Sequence, residues 1–450
     1  MKTEVLKNIV LSIIVTVILL TGTEVFFRMS GFTLNNPVPR MIFSNEYAPY
    51  IGFINSSNRN GPYSVPNQLT GKLMEGQRST NNWGYRADIN YDFVKYYEKK
   101  NNEKIVLLAG GSAAAGAGAS DDTKTIDARM QHYLNTLQNK HSYRVFNFAN
   151  GGWVAMQELI GVQLFGKQLD PDWIVTMNGR NDIAVCADRH EGLAAPMHHA
   201  VIDSYIYGYL EQGGGTSFYR GEFENFIIRH SAAYRGLTGK SYIPKRQYII
   251  NQHGLRTVGT KVSWKDVEGQ IDFYVRVQES FLGISDKCKY ILSLQPLVFG
   301  YTATFKTMTL DELKRNANDA PENISAPDRP AKRILKRIKK WIGSLLNDRS
   351  PDYSFALKYF YREAQRKLKD LVRAHEGRTS VEYVYGGIVF EDRFDDGTHF
   401  LDEVHMTDSG EDKVAKLYAL MILRRDFPER KPEFDALLRD VIVVKSYASI

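Results

Sequence analysis

One stretch constrains this chain more than any other: Lys104-Ile105-Val106-Leu107-Leu108-Ala109-Gly110-Gly111-Ser112. Four apolar residues run without polar alternation, which marks a parallel strand covered on both faces. Two glycines end the strand, Ala113-Ala114-Ala115 and Gly116-Ala117-Gly118 follow, and a helical pattern begins near Thr123. This succession sets the Ser112 hydroxyl at the C-terminal end of a sheet, where open α/β folds hold their ligands. Ser112 is therefore the candidate nucleophile.

The rest of the chain repeats that rhythm. Strands are predicted over 104–109, 143–149, 172–178, 289–295 and 381–389, and helices over 124–138, 155–168, 264–284, 353–375 and 408–424. Five rounds of strand then helix predict an α/β fold: a parallel sheet with helices on both faces. The expected domain spans 101–430, with insertions at 186–262 and 300–350 and a C-terminal tail over 431–450. Residues 29–100, rich in Asn, Gly, Pro and aromatics, read as a membrane-proximal stalk and lead-in that ends in a small packed region around Asn82-Trp83-Gly84-Tyr85-Arg86.

Residues 1–28 read as a short cytoplasmic stub and a transmembrane anchor. Lys2 and Lys7 precede an apolar run from Ile9 to Leu20 that continues, with Glu24 as its one acid, to Phe27. A spanning helix needs about 20 such residues, and lysines before it keep the N-terminus inside. No small-x-small cleavage site follows, so an uncleaved anchor is expected over a signal peptide. The net charge of +7 is concentrated in Ala331–Leu346, with six basic residues and no acid. So local a charge argues against nucleic acid as a partner. Ile334, Ile338, Trp341 and Leu345 line one face of that segment, which fits either a helix lying on an anionic membrane or a lid on the domain. Cys186 and Cys288, the only cysteines, exclude a disulfide-dense scaffold and leave open one bridge or two thiols.

A serine nucleophile needs a base, and the base an orienting acid. Asp402-Glu403-Val404-His405 lies just before the last predicted helix, which Asp408 or Thr407 would cap, with Glu411 in the capping-box position for Asp408. A second copy of the spacing, Asp396-Gly397-Thr398-His399, stands further from the helix, so His405 and Asp402 are preferred. Donors for an oxyanion are found on the neighbouring strand ends. Asn181 follows one strand within Gly179-Arg180-Asn181-Asp182, and Gly151-Gly152 follows another. Asp182 reads as a loop-holding residue rather than a catalytic one, and Arg180 as an exposed charge by default, with contact to substrate as the alternative. No glycine-lysine pair makes a phosphate loop, Asp121 breaks a dinucleotide fingerprint, and no histidines share metal spacing. No cofactor or metal is expected.

Ser112, Gly152, Asn181 and Asp402-x-x-His405, in that order, resemble the four blocks of the SGNH, or GDSL-type, hydrolases, in a membrane-anchored form. The resemblance covers roughly 104–185 and 285–425. It implies a three-layer αβα, flavodoxin-like domain with a five-stranded parallel sheet. It also implies Ser112 as nucleophile, His405 as base oriented by Asp402, and an oxyanion hole from the Ser112 and Gly152 N–H groups and the Asn181 amide. Gly110-Gly111-Ser112 departs from the family's Gly-Asp-Ser. The implied activity is an extracytoplasmic serine esterase that removes O-acyl, chiefly O-acetyl, groups from a cell-envelope glycan. Trp153, beside the oxyanion glycine, reads equally as a platform for a sugar ring or as core. A polysaccharide O-acetyltransferase with the same triad, a lipid esterase and a non-catalytic envelope scaffold are the alternatives.

Overall fold

The computed structural model describes residues 12, 15–26, 45–48, 50–87, 91, 97–188, 231, 233–234, 264–305, 309, 311–312, 353–377, 380–391, 395 and 397–444. The chain divides into two compact units, 1–40 with 200–255, and 41–199 with 256–450.

The larger unit opens with two antiparallel hairpins, β1 (Asn45–Ala48) with β2 (Gly52–Asn55), and β3 (Asn60–Pro66) with β4 (Leu73–Ser79). Five parallel strands then form one sheet: β5 (Glu103–Gly110), β6 (Ser142–Ala149), β7 (Trp173–Asn178), β8 (Lys289–Leu294) and β9 (Val381–Tyr385), in the order β6-β5-β7-β8-β9. Ile105 through Ala109 on β5 are wholly buried, as a strand covered on both faces must be. The strand order reverses direction at β5, and the crevice outside the ends of β5 and β7 is where such sheets bind ligands.

Eight helices flank the sheets or lie between strands: α1 (Ile126–Thr136), α2 (Ala155–Leu164), α3 (Arg180–Ala184), α4 (Trp264–Leu282), α5 (Tyr301–Phe305), α6 (Tyr353–Ala374), α7 (Asp408–Asp426) and α8 (Lys431–Val441). α1 packs against α7, while α4 packs against both α2 and α6. Right-handed crossovers put these two groups on opposite faces of the sheet. The result is the expected three-layer arrangement.

Four local expectations are corrected. The strand predicted over 381–389 stops at Tyr385, because Gly386–Val389 turns as a 3-10 segment with Gly386 close against Pro296. The helix predicted over 155–168 ends at Leu164, and Gly166–Leu169 continues as a 3-10 turn where a Cβ on Gly166 would lie 2.7 Å from Leu107. The supposed stalk is structured from Asn45 onward and belongs to the sheet-bearing unit. Ile51, Phe53, Tyr85 and Tyr91 are buried there, and the Tyr91 hydroxyl exchanges hydrogen bonds with the backbone of Asn147. The packed region expected around Tyr85 and Arg86 is present, both residues being buried, and packing extends back to Ile51 and Phe53. The supposed tail carries α8, which buries Phe434 and Leu438 and packs on α7.

In the smaller unit, residues 15–26 are helical with Val17, Ile18, Leu19, Leu20 and Phe26 exposed. Glu24, the acid within this apolar stretch, accepts hydrogen bonds from Ser231 Oγ at 2.9 Å and from the Ala233 N–H at 3.0 Å. No helix among the described residues is long and apolar enough to cross a membrane. Residues 1–11, 13–14 and 27–28 of the expected anchor lie outside the described residues, as do most of the two insertions and the whole basic segment 331–346.

Candidate active site

The site is assembled from four loops at the C-terminal edge of the sheet. Ser112 follows β5 after one intervening residue, and the chain there coils through tight turns: Ala115 N–H donates to Gly111 O, and Ala117 N–H to Ser112 O. Ala113 and Ala114 are buried, so the turn packs against the domain and leaves the Ser112 side chain at its partly exposed rim. Arg86, from the lead-in motif, braces this turn from below. Its guanidinium donates to the carbonyls of Gly116 and Ala119 and pairs with Asp122 at 2.7 Å.

The other anchor of the turn is α7. Asp408 accepts from Ser120 N–H at 2.7 Å and from its hydroxyl at 2.6 Å, and pairs with Lys124 at 3.0 Å. It therefore does not cap α7. Thr407 is the N-cap, accepting from Gly410 N–H, and Glu411 is fully buried rather than part of a capping box on Asp408. A sequence separation of 288 residues hides this contact from any local pattern.

Between Phe400 and Met406, which pair as an isolated β-bridge, the chain folds into a tight turn closed by Leu401 N–H to His405 O at 2.8 Å. Asp402 Oδ1 accepts from the Val404 and His405 N–H groups at 2.9 Å each, which locks the turn and directs Oδ2 at the ring. His405 Nδ1 lies 2.7 Å from Asp402 Oδ2, and His405 Nε2 lies 2.7 Å from Ser112 Oγ. Because a carboxylate only accepts, Nδ1 carries the proton and Nε2 is free to accept from the serine. Burial alone would raise the Asp402 carboxyl, but the hydrogen bond and charge of His405 with the two backbone donors outweigh it and hold the group at about 2. Asp402 is thus ionised throughout the working range.

His399, in the other copy of the spacing, goes elsewhere. Its Nδ1 lies 3.0 Å from Ser409 Oγ, and with Leu297, Val298, Phe390 and Phe400 it lines a small cavity of about 110 Å³. The carboxylate of Asp395 is occupied by backbone N–H groups of Gly397, His399 and Phe400. Asp396 itself lies outside the described residues.

Asn181 sits in the first turn of α3, just past β7. Its amide donates to Trp153 O at 2.7 Å, which ties the β7 loop to the β6 loop and leaves a second N–H on the same nitrogen. A Cβ on Gly111 would fall 2.6 Å from this nitrogen. Glycine at 111 is thus matched to the placement of Asn181: a side chain there would push the amide away. Gly152 adopts φ +81°, a left-handed conformation that favours glycine, while its neighbour Gly151 is the closer of the two to Ser112, a Cβ there falling 4.0 Å from Ser112 Cβ. Trp153 is wholly buried, with its indole N–H donating to Phe53 O at 2.7 Å. It is core and not a sugar platform.

Two buried acids underlie the Asn181 loop. Asp182 accepts from Ala155 N–H at 3.2 Å, and burial pushes its carboxyl up to about 7. Glu158 accepts from Asn178 Nδ2 at 2.6 Å, and burial, with the charge of Asp182 beside it, drives its carboxyl well above the usual range. Asp182 holds the loop, as its position suggested. Arg180 is not the exposed charge expected of it: its side chain is 18% exposed and pairs with Glu403 at 3.1 Å. Cys186 and Cys288 are both buried free thiols, and burial pushes the Cys288 thiol up to about 12.

No family model matches the chain, and no curated protein matches it in sequence. Among solved structures it is similar to a family 3 carbohydrate esterase of Clostridium thermocellum, with 12% identity over 75% of this chain and 99% of that one, at a TM-score of 0.31. A GDSL-like lipase of Bacteroides thetaiotaomicron overlaps with 12% identity over 73% of this chain and 90% of that one, at a TM-score of 0.30. Overlaps this loose carry no weight for activity. The fold rests on the strand order, and the chemistry on the site.

Proposed function

We propose that this protein is a serine esterase in which Ser112 is the nucleophile, His405 the general base and Asp402 its orienting acid. The observation that carries the reading is the continuous relay of 2.7 Å contacts from Ser112 Oγ through the His405 ring to Asp402. In the proposed mechanism the Ser112 oxygen attacks an ester carbonyl while Nε2 takes its proton. The Ser112 and Gly152 N–H groups and the second N–H of Asn181 receive the oxyanion. As the tetrahedral intermediate collapses, Nε2 returns the proton to the departing alkoxide, which leaves as the alcohol. A water, deprotonated by His405, then attacks the acyl-serine, and the acid is released with the serine hydroxyl restored.

The substrate in this reading is an O-acetylated glycan of the cell envelope, as the resemblance of the sequence blocks implies. In this reading an N-terminal anchor holds the enzyme unit outside the inner membrane. The exposed apolar side chains of residues 15–26 support that location. The test uses the full chain in detergent with p-nitrophenyl acetate and a fluorophosphonate probe, followed by an acetylated polysaccharide. Hydrolysis lost in Ser112→Ala, with probe attached to Ser112 in the native protein, is expected. A native protein that neither hydrolyses the ester nor takes up the probe overturns the reading. Acetyl transfer to an added glycan in preference to water would identify the transferase instead.

A further inference from the structure

The three catalytic parts lie on loops that the sheet alone does not hold at fixed separations. Asn181 belongs to a five-residue helix entered through Gly179, at φ +103°. Asp402 and His405 belong to a turn 223 or so positions further along the chain, as the spacing of Arg180 and Glu403 measures. The Ser112–His405 contact joins the β5 loop to this turn, and the Asn181–Trp153 contact joins the β7 loop to the β6 loop. The ion pair between Arg180 and Glu403, at 3.1 Å, joins the β7 loop to the histidine turn.

The two partners are the immediate neighbours of the groups whose distance matters. Arg180 precedes Asn181, and Glu403 follows Asp402. Glu403 is held a second time through its backbone, since its carbonyl accepts from Val298 N–H at 3.0 Å, at the end of β8. The side chains of Arg180 and Glu403 are 18% and 33% exposed, so the pair is screened by solvent and adds little to global stability. A contact that adds so little to folding, yet bridges the donor loop and the base loop, has its consequence in geometry. A loop displacement of a fraction of an ångström between base and oxyanion donor is felt in the transition state.

We infer that Arg180 and Glu403 form a clamp that sets the spacing between the Asn181 donor and the Asp402–His405 turn, so both are positioning residues. The inference rests on the esterase reading for its catalytic consequence, but the clamp itself is a mechanical claim that can be measured without turnover. Arg180→Gln and Glu403→Gln are each expected to lower kcat about 10-fold with KM within twofold, since the lost geometry serves the transition state. Arg180→Lys, which keeps the charge without the planar fork, is expected to recover part of the loss. The double variant is expected to lose no more than the worse single one, as groups in one pair are not additive. Hydrogen exchange of peptides covering 398–407 is expected to quicken in both single variants.

The deciding experiment runs exchange and hydrolysis together on the full chain, with Ser112→Ala as the control for the reading. Faster exchange with a kcat loss in an active protein supports the clamp. Unchanged exchange, or additive losses in the double variant, overturns it. Raised exchange in the two variants, with a native protein that hydrolyses no faster than Ser112→Ala, overturns the esterase reading and leaves the clamp standing as a brace between the two loops.

Discussion

Two turns of this protein carry the same spacing, an aspartate three residues before a histidine, six positions apart in the chain. At His405 the ring is held between a carboxylate and the Ser112 hydroxyl. At His399 the ring leans on Ser409, a residue of α7, beside a small cavity of mixed polar and apolar lining, and the nearby Asp395 spends its carboxylate on the backbone. The difference is one of aim. Asp402 closes its turn with one oxygen and keeps the other for the ring, whereas Asp395 uses the same chemistry to hold the chain alone. A histidine and an acid become a relay only when a third element, here the end of β5, brings a hydroxyl to the far nitrogen.

The comparison breaks most sharply at the histidines. His405→Ala is expected to lower kcat/KM for p-nitrophenyl acetate by about 10³-fold or more, as loss of a triad member does. His399→Ala is expected to stay within twofold. The reverse result would move the site to the other turn.

The acids come next. Asp402→Asn keeps the shape of the turn but offers the ring no carboxylate, and is expected to cost about 10²–10⁴-fold in kcat. Asp395→Ala is expected to leave kcat nearly unchanged while destabilising the fold by about 1–3 kcal/mol, because buried backbone donors lose their acceptor. Denaturation and steady-state kinetics on the two variants check both.

Asn181→Ala removes the amide donor and is expected to lower kcat by about 10²-fold. Gly111→Ala is expected to act in the same direction but more weakly, by displacing that amide; a Gly111→Ala protein as active as the native one would show that Asn181 does not need its present place.

The smallest effect is in stability against pH. The folded Asp402 carboxyl titrates at about 2, below the ordinary value of about 3.9. Its contribution is therefore present above about pH 4 and is lost as pH falls through 2. Asp182, raised to about 7, has the opposite sign: its contribution is present below about pH 3.9 and is lost as pH rises through 7. Native and Asp402→Asn melting temperatures are expected to converge as pH drops from 5 towards 2. Asp182→Asn is expected to gain about 1–2 °C on the native protein at pH 8 relative to pH 5.

The sequence by itself determined the sheet. Unbroken apolar runs such as Ile105–Leu108 can satisfy their burial only as strands covered on both faces, and their alternation with helices leaves a parallel layered fold as the outcome. It also determined the order in which a serine, a glycine, an asparagine and a histidine leave the strand ends, because strand ends are set by local glycine and turn chemistry. The tertiary structure decided what depended on contacts across hundreds of residues. Tyr91 looks like linker until the Asn147 backbone on β6 exchanges hydrogen bonds with its hydroxyl. Asp408 looks like a helix cap until Ser120 arrives. Arg180 looks like a surface charge until Glu403 meets it. Between two equal aspartate–histidine turns, only the position of Ser112 relative to each could choose, since side-chain spacing along a chain carries no information about which distant group lies opposite.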